Sequence, residues 1–415
     1  MIHFEKFTLN NGLRVVVHCD NSTPMAAMSI IYDVGSRDED PEKTGFAHLF
    51  EHLMFGGSVN IPKYDEPLEK AGGINNAYTS NDLTNYYLSL PAPNIETGFW
   101  LESDRMYQLA FSEKSLEVQQ NVVTEEFRQT HLNQPYGDAW MLLRPLAYTI
   151  HPYRWPTIGK EISHIQNAVM EDVRAFYNTY YNPDNAVLAV SGNVTTTLVQ
   201  QLAEKWFAPI ENTGQHRRNL PAEPVQTDPR FLEVEREVPA DMIYKAWKMH
   251  HRNDPGYYAA DLLSDILGNG KSSRLFRRLV MEKKVFTELE CYVTGSFDPG
   301  LLVISGRPSE GVKIGDAEKA ILDEVSILLE EKPENGELQK VKNKVEAHLK
   351  FSQMNVLNKA INLAFGEILG DAGLINSEFE KYNAVTKEQI LQVAGEVLHP
   401  SKCSTMYYLA KNSNR

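Results

Sequence analysis

Apolar and polar positions alternate along both halves of the chain, and each half passes from strand-like to helix-like periodicity. Residues 1–20, MIHFEKFTLNNGLRVVVHCD, alternate on both sides of Asn11-Gly12, a two-residue turn signal that predicts a β-hairpin. A strand is expected over about Met25–Val34, then a helix containing FAHLFEHLMF. In that helix Phe46, Leu49, Phe50 and Leu53 recur at i, i+3, i+4 and i+7. GINNAYTSNDLTNYYLSLP reads as strand material with polar alternation, and a long helix starts near Ser112 or Ser115. NAVLAV, within TYYNPDNAVLAVSGNV, is a short buried strand. Residues 211–229 are polar, hold three prolines and lack periodicity, so a linker is expected over 213–229. The pattern then restarts. FLEVEREV and MIYKAWKM alternate as strands, DPGYYAADLLSDILGNG and SSRLFRRLVMEKK are helical, CYVTGSF and GLLVISG pair as strands, and helices close the chain. This repetition predicts an α+β fold of two similar domains, 1–212 and 230–415, each with strands first and helices after.

The 415 residues suffice for two domains with separate cores, and 42% hydrophobic with 23% charged residues is a soluble globular composition. Forty-one basic against 55 acidic side chains leave a net charge of −14, which argues against general nucleic-acid or anionic-membrane binding. Cys19, Cys291 and Cys403 lie far apart with no CxxC, which excludes a disulfide framework and a cysteine-rich zinc site. No apolar run is long enough for a bilayer span, and residues 1–20 lack the regions of a secretory signal. A cytoplasmic location is the expectation, or a periplasmic one if a signal has been removed.

Candidate chemistry concentrates in His48-Leu49-Phe50-Glu51-His52. Residues four apart share a helix face, so His48 and His52 can present two imidazoles to one metal ion, with Glu51 in reach of a metal-bound water. The apolar stripe leaves His48, Glu51, His52 and Phe55 on the other side of the helix. Burying two imidazoles and a carboxylate is unfavourable unless they are paired or bind a metal. Two core histidines beside a surface glutamate would spell the same five letters, so the surrounding segments decide.

Those segments are GFAHLFEHLMFGGS, AGGINNAYTSNDLTNYY, NVVTEEFRQ, HPYRWPTIGKEISHI and YYNPDNAVLAVSGNV. In this order they resemble the pitrilysin and mitochondrial-processing-peptidase superfamily of inverted-zincin metallopeptidases. The resemblance runs from about residue 5 to the C-terminus, since LLSDILGNGKSSRLFRRL is similar to the second family domain, which carries no metal site. It implies two domains with mostly antiparallel sheets, forming half of a peptidase clamshell. It also implies a zinc endopeptidase acting on peptides or unfolded polypeptides within a dimer chamber. Zn2+ would be held by His48, His52 and a downstream glutamate, with Glu51 as the base that activates water. The family block V-[IVL]-x-x-E-[IM] puts that glutamate at Glu126 rather than Glu125. Asn76 and Ala77 match a strand whose edge takes the substrate backbone.

The chain departs from the family pattern in two places. Gln119 stands seven residues before Glu126, where relatives commonly carry a second glutamate, and Glu117 lies two residues earlier. In the second domain, relatives grip the substrate with an arginine and, seven residues on, a tyrosine. Here those positions read Val280 and Thr287, with Arg277 and Arg278 close by. The missing donors imply a second, related chain as partner, with a homodimer as the fallback. A non-catalytic binding or assembly subunit is the alternative, but such subunits typically lose metal ligands and His48, Glu51, His52 and Glu126 are all present. Gly268–Ser272 is no phosphate loop, because Asp265 stands where that loop needs glycine. His151, His250 and His251 lack partner spacing and read as structural or surface histidines.

Overall fold

The computed structural model describes residues 1–214 and 218–411, so residues 215–217 of the expected linker lie outside the described residues. One sheet has the strand order β1-β2-β6-β3-β5-β4, from β1 Glu5–Thr8, β2 Arg14–Cys19, β3 Met25–Tyr32, β4 Ile74–Thr79, β5 Thr84–Pro91 and β6 Ala186–Gly192. The other has the order β7-β11-β8-β10-β9, from β7 Arg230–Arg236, β8 Met242–Lys248, β9 Phe286–Val293, β10 Leu301–Pro308 and β11 Cys403–Ala410. Without β1 the two orders are the same, strand for strand. In each sheet the first of the five strands runs parallel to the last, β2 with β6 and β7 with β11, and every other pairing is antiparallel. The fold is the α+β arrangement of two similar units that the repeated pattern predicts.

The units are not contiguous in sequence. The first comprises Met1–Gln129, Trp155–Pro221 and Leu349–Glu378; the second comprises Thr130–Arg154, Ala222–His348 and Phe379–Arg415. The break after Pro221 falls inside the expected linker, but each half of the chain also gives one helical segment to the other half's sheet. In the helix Ala139–Ala147, the residues Ala139, Leu143 and Ala147 share one face and bury against Met242, Tyr244, Ala246, Met406 and Tyr408. In the helix Val356–Ile368, Ala360, Leu363 and Ala364 are buried, and the helix packs on β3 and β6.

Central strands are buried throughout: all of β6, and all of β3 after its first residue. Sheets covered on both faces bury such runs. In the second sheet the two faces separate by alternation along β8. Ile243 and Trp247 join one cluster, with Leu263, Ile266 and Leu302, while Met242, Tyr244 and Ala246 join the other. β1 and β2 form the expected hairpin, with Thr8 opposite Arg14. Its loop is longer than the two-residue turn expected. Leu9 pairs with Leu13, and Gly12, at φ +96°, donates its N–H to the Leu9 carbonyl, which leaves residues 10–12 as a three-residue loop ending on a left-handed glycine. The segment expected to finish in helices instead ends with β11, between β7 and β8. No helix among the described residues is long and apolar enough to cross a membrane.

Candidate metal centre

Helix α1, Phe46–Leu53, buries Phe46, Leu49, Phe50 and Leu53, with the Phe50 ring stacked on Tyr181 at 5.2 Å between centroids. His48, Glu51, His52 and Phe55 are half-buried on the remaining face. The helix has no side-chain cap of its own. Gly45 sits at the N-cap with φ +91°, and a Cβ there would lie 2.6 Å from the Ile158 carbonyl oxygen. Glu39 supplies the missing acceptors. Its Oε2 accepts the Gly45 N–H and its Oε1 the Ala47 N–H, both at 2.9 Å. The Trp155 indole N–H donates to Glu39 Oε2 at 3.1 Å and to the Ser36 carbonyl at 2.9 Å. Burial pushes the Glu39 carboxyl well above the usual carboxylate range, against these three hydrogen bonds.

Helix α2, Glu113–Phe127, begins at Ser112, whose Oγ accepts the Ser115 N–H at 3.1 Å. Gln120 Nε2 donates to the carbonyls of Ile165, Gln166 and Ala168 at 2.8, 3.2 and 2.8 Å, which ties α2 to the helix Ile162–Gln166. α1 and α2 pack together and bring three candidate ligands to one point. Glu126 Oε1 lies 3.8 Å from His48 Nε2, and its Oε2 lies 3.5 Å from His52 Nε2. One ligand atom from each of the three falls within 4.8 Å of the others, the one such His/Cys/Asp/Glu group among the described residues. Glu125 is placed elsewhere, accepting from Gln129 Nε2 at 3.1 Å and lying 3.5 Å from Arg128. The two imidazoles stand edge to face at 83°, and His48 Nδ1 is buried without a hydrogen-bond partner among the described residues. Burial pushes His48 down to about 4, with Glu126 opposing and His52 reinforcing. Burial raises Glu51 as well, opposed by hydrogen bonds from Thr79 and by His52.

Two imidazoles and one carboxylate are a zinc ligand set. Ligand atoms about 2.0–2.2 Å from a tetrahedral ion stand roughly 3.3–3.5 Å apart, so the residues present fit such an ion after a small closing of their side chains. Glu51 hydrogen-bonds to Thr79, whose Oγ1 donates to Glu51 Oε2 at 2.6 Å. Thr79 ends β4, the edge strand that also holds Asn76 and Ala77 and runs beside α1. The Ala77 N–H bonds Asn76 Oδ1 at 2.8 Å. Gln119 is half-buried on α2 and Glu117 is exposed.

In the second unit, Val280 packs against the main core cluster. Thr287 is exposed on the edge strand β9, and its Oγ1 donates to the Arg307 carbonyl at 3.2 Å. Arg278 and Lys283 both pair with the buried Glu324, at 2.7 and 2.9 Å, and Arg277 lies 3.8 Å from Glu282. His151 is buried, accepts the Tyr153 N–H at 3.1 Å and lies 3.5 Å from Asp298. His250 lies 3.6 Å from Glu396. Nothing in the local pattern pointed to Glu39, Trp155, Gln120 or Thr79 as supports of this site. Gly45 at the N-cap, which has no side chain to cap α1, is the one signal that an acceptor for its N–H groups must lie elsewhere.

Two similar α+β units, the first with an H-x-x-E-H helix and the Glu126 carboxylate as third candidate ligand, have the features of an inverted-zincin fold. The family model described as insulinase (peptidase family M16) matches residues 14–154, and the model described as the peptidase M16 inactive domain matches residues 167–345. The chain belongs to peptidase family M16. It is 28% identical over 414 residues to the zinc protease PqqE of Helicobacter pylori, covering 97% of this chain and 92% of that one. It is 25% identical over 397 residues to a protein of Bacillus subtilis described as an uncharacterized zinc protease, YmxG, covering 95% of each. Among solved structures, a protease from H. pylori superposes with a TM-score of 0.92 at 27% identity, over 98% of this chain and all of that one. Pitrilysin shares the fold with a TM-score of 0.79 at 16% identity, this chain matching 45% of its length.

Proposed function

We propose that the chain is a zinc endopeptidase that hydrolyses peptides or unfolded polypeptides. The observation that carries this reading is the convergence of His48, His52 and Glu126 beside Glu51, on a chain whose relatives are named zinc proteases. His48, His52 and Glu126 would hold the ion. When bound, zinc makes a water more acidic and polarises the scissile carbonyl. Glu51 takes the proton of the attacking water and passes it to the leaving amine. Asn76 and Ala77, on the edge strand β4, take the extended substrate main chain by strand addition, which reads backbone rather than side chains. Metal analysis together with cleavage of a quenched peptide, before and after chelation, tests the reading. Unchanged turnover after exhaustive metal removal would end it.

The active species in this reading is a dimer with a related but different chain. Val280 donates no hydrogen bond, and the Thr287 hydroxyl is engaged with the Arg307 carbonyl. A chamber of two identical chains would therefore lack donors to the developing oxyanion at these positions, and losing one such donor costs about 10²–10³ in rate. A partner carrying them would restore that rate.

A further inference from the structure

We infer that Thr79 is a positioning residue for Glu51, and that it couples the seating of substrate on β4 to the orientation of the general base. The inference rests on the zinc-peptidase reading above. Glu51 projects from a half-buried helix face and has three side-chain torsions to fix. A 2.6 Å hydrogen bond from a hydroxyl to a carboxylate is a strong, charge-assisted contact and holds one of its oxygens in place. The donor comes not from α1 but from the last residue of β4, where Thr79 faces Thr84 across the ladder.

Side chains two apart on a strand share a face. Ala77 and Thr79 are half-buried on one face of β4, while Asn76 and Tyr78 are exposed on the other. The strand proposed to receive the substrate main chain thus ends, two residues beyond Ala77, in the hydroxyl that holds the base. As an edge strand, β4 has a partner on one side alone among the described residues, β5. A substrate strand added to its open edge orders β4, and through Thr79 it orders Glu51 as well. Peptides long enough to pair with β4 should therefore gain in kcat, beyond any gain in KM. Peptides limited to the residues flanking the scissile bond should not.

The experiment compares the zinc-loaded parent with Thr79→Ser, Thr79→Val and Glu51→Gln, each alone and with the proposed partner chain, on a long and a short quenched peptide. It is joined by zinc affinity from chelator competition and by crystal structures of the two Thr79 variants. Thr79→Val, which keeps the shape and loses the donor, should lower kcat on the long peptide by about tenfold to a hundredfold, the usual cost of removing a group that orients a site residue. KM and zinc affinity should be unchanged, the kcat advantage of the long peptide should collapse, and Glu51 should leave its present position. Thr79→Ser should restore all of these. Parental kcat in Thr79→Val, a loss that merely tracks lost zinc, or an unmoved Glu51 would each overturn the inference. Parental turnover in Glu51→Gln would instead bring down the peptidase reading beneath it.

Discussion

Replacing Glu39 with alanine tests how the candidate zinc helix is held. The substitution strips the acceptors from the Gly45 and Ala47 N–H groups, both in buried residues, whereas the Trp155 indole keeps the Ser36 carbonyl. Two orphaned donors at about 1–3 kcal/mol each give about 2–6 kcal/mol. Relief of a buried carboxyl offsets part of this, and we expect a net loss of about 3 kcal/mol. Glutamine is no milder. Oε2 accepts two N–H groups and Oε1 one, so either amide orientation turns an NH2 towards a donor. By calorimetry the unfolding midpoint should fall by roughly 6–12 °C, at about 2–4 °C per kcal/mol for a unit of this size. Zinc affinity should fall with it, because His48 lies three residues beyond Gly45 and frays with the first turn. A midpoint within about 1 °C of the parent and an unchanged zinc affinity would refute the reasoning.

His48→Ala or His52→Ala should abolish zinc binding by metal analysis, and near-stoichiometric zinc in either would remove that ligand from the set. Glu223→Gln should destabilise the second unit, because this carboxylate accepts the N–H groups of Thr149, Ile150 and His151 at 2.8, 2.9 and 3.0 Å and pairs with Lys248. Burial would raise the Glu223 carboxyl, but those N–H groups and the Lys248 ammonium hold it at about 2, below its ordinary value of 4.5. Its contribution is therefore fully present above pH 4.5 and is lost as the pH falls towards 2. The stability gap between parent and Glu223→Gln should narrow over that window, and a gap independent of pH would contradict the assignment. Peptide cleavage per zinc should rise when the chain is purified with a related partner that carries the missing donors. Equal rates alone and in the complex would leave a self-sufficient homodimer as the simpler account.

The sequence made the face of α1 legible because a helix that buries Phe46, Leu49, Phe50 and Leu53 must turn His48, Glu51 and His52 the other way. The start of α2 was legible to within one turn, because Ser112 and Ser115 are both good caps and geometry alone chooses between them. Periodicity does not say which sheet a buried helix face meets. For that reason the exchange of Ala139–Ala147 and Val356–Ile368 between the two halves could not be foreseen. β11 escaped because CSTMYYLA is buried almost throughout, and such a run shows no alternation. Glu39, Trp155, Gln120 and Thr79 act on main-chain groups or across long separations, 116 residues between Trp155 and Glu39, and leave no mark on local pattern.

Whether this chain holds zinc for peptide hydrolysis with Glu51 as the base can be decided on one pair of preparations. Zinc content and cleavage of a quenched peptide should be measured on the parent and on Glu51→Gln, each alone and with the proposed partner chain. Zinc should be equal in both, and the rate should be about 10²–10⁴ lower in Glu51→Gln, the usual worth of a general base. Equal turnover in the two, or a parent that cleaves without binding zinc, would contradict the zinc-peptidase reading.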